Sequence, residues 1–478
     1  MTPCRLIVMM LLATCISMQA QSPTTWKQSS YLKSSNAGNG HQLGYAIALS
    51  SDGNTLAAGA PMEGSHATGI NGKENDDSAY SAGAVYVYTR RGAGWLQQAY
   101  LKASNTGSND QFGNGVAISA DGNTLAVSAI FEDSGSAGIN GNQADNSIQD
   151  SGAVYVFTRT GSVWTQQAYI KASNPGERDD GDTFGYAIAL SDDGATLAVG
   201  APSEDSSATG NNGNQADNSA VAAGAVYVFA RTARTWSQQA YVKSPNTRPN
   251  SLFGYSVALS SNGDTLAAGA FDEDGGKGAV HILIRSGSVW TEQARLQASN
   301  AERGDSFGAS VAISDDGNTV AAGALDEDSF LTNINAGEQG AADQSTDTSA
   351  GAAYVFTRTG SGWSQQAFIK ASNTGKEDWF GVHLALSGDG NTLAISAPNE
   401  DGDNDAAPEA GAVYVYARTG GAWSHQRYLK GTNTDQFDEF GSAVALNTDG
   451  RMMAVGARFD EQAGDKVRDA GGVYIFLR

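Results

Sequence analysis

Residues 184–207 read FGYAIALSDDGATLAVGAPSEDSS, and the fold is decided there. The pair Asp193-Gly194 divides the stretch, and both of its residues tolerate positive φ. That is the strongest short hairpin signal, so FGYAIALS and TLAVGA are expected to be two antiparallel strands. The same sentence returns along the chain. Its opening pair, Phe-Gly or once Leu-Gly, stands at Leu43, Phe112, Phe184, Phe253, Phe307, Phe380 and Phe440, giving seven copies at intervals of 69, 72, 69, 54, 73 and 60 residues.

Each copy holds two more strands. After a loop of variable length comes GAVYVF or a close variant, beginning at Gly83, Gly152, Gly224, Gly278, Gly351, Gly411 and Gly471. A short turn then leads to a fourth segment, VWTQQAYIKAS in the second copy. The second and third strands are apolar on both faces, as strands between neighbouring sheets should be. The fourth alternates, with Trp164, Ala168 and Ile170 on one side and Thr165, Gln167, Tyr169 and Lys171 on the other, the pattern of a solvated outer edge. Four-stranded sheets repeated in a ring describe a β-propeller.

The tryptophans check the count. Trp95, Trp164, Trp236, Trp290, Trp363 and Trp423 open the fourth strands of six copies, but the seventh copy ends with its third strand at Arg478. The missing strand stands at the other end of the chain, where TTWKQSSYLKSSN, with Trp26 and Lys33, matches VWTQQAYIKASN. The fold expected is therefore all-β: a seven-bladed β-propeller of four-stranded antiparallel blades, closed by the N-terminal strand pairing into the last blade.

With FG opening each repeat, and Gly59-Ala60-Pro61 and Gly200-Ala201-Pro202 closing two of the second strands, residues 24 to 478 resemble the FG-GAP repeat family, the propeller of integrin α-subunits and of many bacterial exported proteins. The resemblance implies an adhesion or recognition scaffold and names no single ligand. The calcium cage of the integrin type occupies the turn between the first two strands. Here that turn is only SSDGNT or SDDGAT, so the family's metal ligands do not carry over.

The composition agrees with an ordered repeat. Hydrophobic residues make up 40% and charged residues 17%, and the 59 glycines recur at fixed positions rather than in a run. The first 20 residues carry one charge, Arg5, and an apolar run from Leu6 to Met18, the layout of a secretory leader. A cleaved leader over 1–20 leaves one propeller domain over 21–478, monomeric and secreted, periplasmic or at the cell surface. Both cysteines, Cys4 and Cys15, lie in the leader, and LATC ending at Cys15 partly resembles a lipidation site. The net charge of −22 disfavours nucleic acid and favours cations or basic partners, and no later stretch is long and apolar enough for a membrane helix.

In an up-and-down blade the tight turns share one face of the disc and the long loops share the other. Two acidic positions repeat on the long-loop face. One follows the second strand: Glu63, Glu132-Asp133, Glu204-Asp205, Asp272-Glu273-Asp274, Asp326-Glu327-Asp328, Glu400-Asp401 and Asp460-Glu461. The other lies two residues before FG: Asp110, Asp182, Asp305, Asp378 and Asp438. Oxygen-rich loops suit calcium, which takes six to eight oxygen ligands. The candidate ligands are Asp133, Asp205, Asp274, Asp328, Asp401, Asp182, Asp305 and Asp438. The competing reading of each single aspartate is a turn cap that accepts backbone N–H groups.

The five histidines stand at unrelated positions, and His281 replaces the tyrosine of GAVYVF, a structural substitution. Arg303-Gly304-Asp305 is a chance tripeptide, because the repeat already demands Asp305. Trp379, in the acidic loop KEDWFG, lies outside the repeat pattern and is the candidate ligand contact. The function expected is recognition of a protein or glycan through the acidic loop face, with calcium ordering the loops. The alternative is a propeller enzyme of hydrolase, lyase or lactonase type with a metal-assisted site on the same face.

Overall fold

The structure is a computed structural model that describes residues 25–177, 180–332, 334–335, 348–402, 407–461 and 467–478. The leader expected over 1–20, Cys15 included, lies outside the described residues. Seven four-stranded antiparallel sheets follow one another along the chain. In the second blade the strands are Val116–Ile118, Thr124–Ala129, Ala153–Thr160 and Val163–Ile170, in that order from axis to rim. The last blade takes Phe440–Leu446, Met452–Ala457 and Gly472–Leu477 from the end of the chain and Lys27–Leu32 from its beginning, with Lys27 opposite Leu477 and Leu32 opposite Val473.

Every second strand is buried along its whole length. The apolar side chains gather into seven clusters, one between each pair of adjacent blades. The phenylalanine of FG is fully buried and packs edge-on against its own third strand; Phe112 lies 5.3 Å from Tyr155 and 6.1 Å from Phe157. The glycine that follows has a different task. Gly113 has φ +95° and brings its carbonyl so close to Gly59 of the preceding blade that a Cβ on Gly59 would overlap it. That approach leaves no room for a Cβ at Gly59, whereas Ser128 and Ser396 take the equivalent place in the second and sixth blades.

The fourth strands depart from simple alternation. Val156 pairs with Ala168 and Phe157 with Gln166, leaving Gln167 as a bulge. Beyond it Ala168, Tyr169 and Ile170 are all buried, because both faces of the strand are covered: Tyr169 packs toward the first blade and Ile170 toward the third. Tyr169 and Lys171, expected to face solvent, are thus interior. The bulge also aims a glutamine at the next blade. The Gln98 Oε1 atom accepts from Trp164 Nε1 at 3.0 Å and Arg159 Nη1 at 3.1 Å, and the Arg159 guanidinium lies 5.2 Å from the Trp164 ring. Gln167, Gln239, Gln293 and Gln366 bond the next tryptophan in the same way. In the closing strand the bulged residue is Ser29, and Trp26 Nε1 is buried without a partner among the described residues.

On the tight-turn face one backbone N–H per blade donates to the next blade's turn. The chain of bonds runs Ser51 to Ala120, Asp192, Ser261, Asp315, Gly388 and Thr448, and Thr448 N–H donates back to Ser51. This closed seven-membered ring makes a floor across the axis.

Candidate functional site

The acids that follow the second strands divide into two groups with different work. The first glutamate of each pair is buried and meets the lysine that ends the fourth strand of its own blade. Lys102 Nζ lies 2.8 Å from Glu63, and Lys171 Nζ lies 2.7 Å from Glu132, with all four side chains at most 2% exposed. The pattern continues as Lys243–Glu204, Lys370–Glu327, Lys430–Glu400 and Lys33–Asp460. Tyr169 donates to Glu132 at 2.8 Å, and Asn105 Nδ2, arriving from the preceding blade, donates at 2.8 Å. Paired and hydrogen-bonded charges of this kind are what permits carboxylates in an interior. Burial pushes Lys102, Lys171 and Lys243 below the usual lysine range.

The recurring KASN is thereby explained. Its lysine neutralises the carboxylate of its own blade, and its asparagine ties down the carboxylate of the next: Asn36 to Glu63, Asn105 to Glu132, Asn174 to Glu204, Asn300 to Glu327 and Asn373 to Glu400.

The fourth blade keeps the charge balance with other residues. Gln297 stands in the lysine position. Glu273 instead meets Arg295 Nε at 2.7 Å and His281 Nε2 at 2.8 Å, while His281 Nδ1 lies 2.6 Å from Glu292. Burial pulls the His281 imidazole down, but its hydrogen bonds to Glu273 and Glu292 outweigh this and raise it above the usual histidine range.

The candidate metal ligands occupy loop positions around the same face. Asp133, Asp205 and Asp401 each accept from one backbone N–H through Oδ1: Asp150 at 3.0 Å, Ala222 at 2.7 Å and Glu409 at 2.8 Å. Asp328 accepts from Thr348 and Ser349, both at 2.8 Å. Asp274 instead meets Arg295 Nη2 at 2.7 Å. Before FG, Asp305 accepts from Glu302 N–H at 2.7 Å and Asp438 from Asp435 N–H at 2.6 Å, as Asp110 and Asp378 do from Gly107 and Gly375. Asp182 is buried at the equivalent place. Burial, with Glu132 and Asp133 nearby, pushes the Asp110 carboxyl up to about 7; burial and Asp460 do the same for Asp438. Among the described residues no three His, Cys, Asp or Glu side chains come together as a metal cage.

Above the floor the first strands of all seven blades enclose an axial cavity of about 350 Å³. Tyr45, Tyr186 and Tyr255 line it on one side, and Phe271 backs Tyr255. The Tyr186 and Tyr255 rings are 4.7 Å apart, and those of Tyr255 and Phe271 are 4.3 Å apart. Ala309 and Val382 line the other side, and His383 exposes its ring to the cavity. Enclosure, and then the Arg458 guanidinium, push His383 down to about 4. These wall residues were not singled out from sequence. The available signal was the position after FG, which reads Tyr, Asn, Tyr, Tyr, Ala, Val, Ser while the Phe-Gly or Leu-Gly pair before it is kept. Trp379 lies on the loop face at φ +55°, 37% exposed, the backbone state shared by the residue before FG in every blade.

The arrangement defines a seven-bladed propeller whose sequence repeat and structural blade are out of step by one strand. The FG-GAP repeat family model matches residues 95–157, 290–356, 363–416 and 423–476. Each match begins at a fourth-strand tryptophan and ends in the third strand of the following blade, so every repeat bridges two blades. The chain belongs to the FG-GAP repeat family. No curated protein matches it, and among the described residues no helix is long and apolar enough to cross a membrane.

Proposed function

We propose that the chain is a non-catalytic binding scaffold that recognises a protein or glycan through its long-loop face. One observation carries this reading. The polar residues repeated from blade to blade are used for ion pairs, caps and inter-blade bonds, whereas large apolar side chains stand exposed in the unrepeated parts of the loops. Among the described residues, five of the eight exposed large hydrophobic residues belong to long-loop connections: Tyr80, Val221, Phe330, Trp379 and Phe437. Surface aromatics on a rigid frame are a common basis for recognition.

Calcium ordering these loops is part of the proposal, supported by the carboxylate density of this face. The loop segments 403–406 and 462–466, which include Asp403, Asp405 and Asp465, lie outside the described residues. The test is binding of the full chain to arrays of glycans and extracellular proteins, in calcium and again in EDTA. Saturable binding that Trp379→Ala or Phe437→Ala weakens supports the reading. Absence of any binding, together with turnover of a screening substrate, moves the chain to the catalytic alternative.

A further inference from the structure

The axial cavity has a composition unlike the rest of the molecule. The chain carries 51 acidic and 29 basic residues, yet none of those among the described residues lines this cavity; Arg458 reaches the Tyr45 ring at 5.6 Å without being part of the lining. His383 is uncharged near neutral pH, being pushed down to about 4. An anionic ligand would approach against the field of a chain with net charge −22. A cationic one would be desolvated against walls that offer no carboxylate. A purely apolar one would cover Asn114 and the tyrosine hydroxyls without giving them partners.

The shape selects further. Large rings gather on one side, from the first, third and fourth blades, and small residues on the other, from the fifth and sixth. A merely structural filling of the axis would follow the repeat, as the buried phenylalanines of FG do. This position instead varies where seven blades converge, the mark of a site rather than of packing. The volume is at the lower end of the range for small-molecule sites, and the backbone ring on the tight-turn face leaves the long-loop face as the mouth.

We propose that the axial cavity binds an uncharged sugar residue, its ring stacked on the wall of Tyr186 and Tyr255 and its hydroxyls bonded to the tyrosine hydroxyls, Asn114 and His383. This rests on the loop-face recognition reading and places the end of a glycan within it. Stacking of a flat, partly apolar face on an aromatic wall, with polar groups at its edge, requires no charge on either partner.

The test titrates the full chain with glucose, galactose, N-acetylglucosamine and their β-linked disaccharides, with glucuronate and glucosamine as charged counterparts, using saturation-transfer NMR and calorimetry. The expected result is saturable binding of at least one neutral sugar, roughly tenfold tighter than its charged counterparts. Tyr186→Ala should weaken it by about tenfold or more, and Ala309→Trp, which fills the small side, should abolish it. Both variants are first shown to unfold at the wild-type temperature; if either does not, Tyr255→Ala and Val382→Phe replace them. Saturation by no neutral sugar up to about 1000 μM, a concentration corresponding to roughly −4 kcal/mol, overturns the proposal, as does binding indifferent to the variants. An array ligand still held by the Ala309→Trp protein would sink this inference and leave the loop-face reading standing. An array with no ligand at all would remove both.

Discussion

Replacing Lys171 by methionine should be among the most costly single substitutions in the ring. It removes the cation paired with Glu132, whose side chain is 2% exposed, and leaves the carboxylate with the neutral donors Tyr169, Asn105 and the Ser134 N–H. Breaking one half of a buried pair costs about 3–5 kcal/mol. Unfolding entropy of about 2.1 cal/mol/K per residue, over roughly 450 residues melting as a unit, gives close to 1 kcal/mol per degree. The predicted fall in Tm is therefore about 3–5 °C by calorimetry. The double variant Lys171→Met/Glu132→Leu should recover most of it, because an apolar pair of similar size is often neutral against a buried ion pair. The control is Lys376→Met, which breaks the exposed pair to Glu377 and should shift Tm by about half a degree or less. Equal shifts for Lys171→Met and Lys376→Met, or a double variant that merely adds the two single losses, would refute the claim that these pairs hold the blades.

The remaining predictions concern protons, latches and closure. Asp110 and Asp438 are raised to about 7, while in the unfolded chain such groups titrate near 3.9. The folded state holds protons that the unfolded chain releases between those values, so these two groups stabilise as pH falls from about 7 to about 4 and lose that contribution as pH rises through 7. Asp110→Asn should accordingly raise Tm at pH 8 and leave it nearly unchanged at pH 4. His281, raised by Glu273 and Glu292, contributes stability that is complete below about 6.5 and is lost as pH climbs through its folded value; His281→Gln should thus cost more at pH 6 than at pH 9. Gln98→Leu strands the Trp164 Nε1–H and should cost about 1–3 kcal/mol in urea unfolding. Deleting residues 25–33 exposes the edge at Gly472–Leu477, and sedimentation should then show more association than the intact chain under the same conditions.

How much of this the sequence disclosed depended on whether the signal was local. The Asp-Gly hairpins, the count of FG pairs and the orphan strand around Trp26 each lie within a dozen residues, and they specified both the blade and its closure. Lys171 was less accessible. It ends a strand whose first half reads as a solvated edge, and its partner Glu132 lies 39 positions away. Only the joint departure in the fourth blade, where Gln297, Arg295 and His281 appear together, ties the two positions to each other. The bulge at Gln167 was equally hidden, since a bulge is a property of register between strands and leaves no mark in one strand's alternation. The axial tyrosines contribute one residue from each of several blades and become a site only when the ring brings them together.

The proposed function divides the labour within the ring: repeated acids hold the blades, and unrepeated residues at and around the loop-side mouth meet the ligand. It is tested most directly by measuring Tm and array-ligand affinity side by side for Glu132→Gln, Tyr186→Ala and Trp379→Ala. Under this division Glu132→Gln lowers Tm by several degrees while the folded protein binds as before, and Tyr186→Ala and Trp379→Ala keep the wild-type Tm and lose affinity. Loss of affinity on Glu132→Gln at unchanged Tm, with the two aromatic variants binding normally, would contradict it.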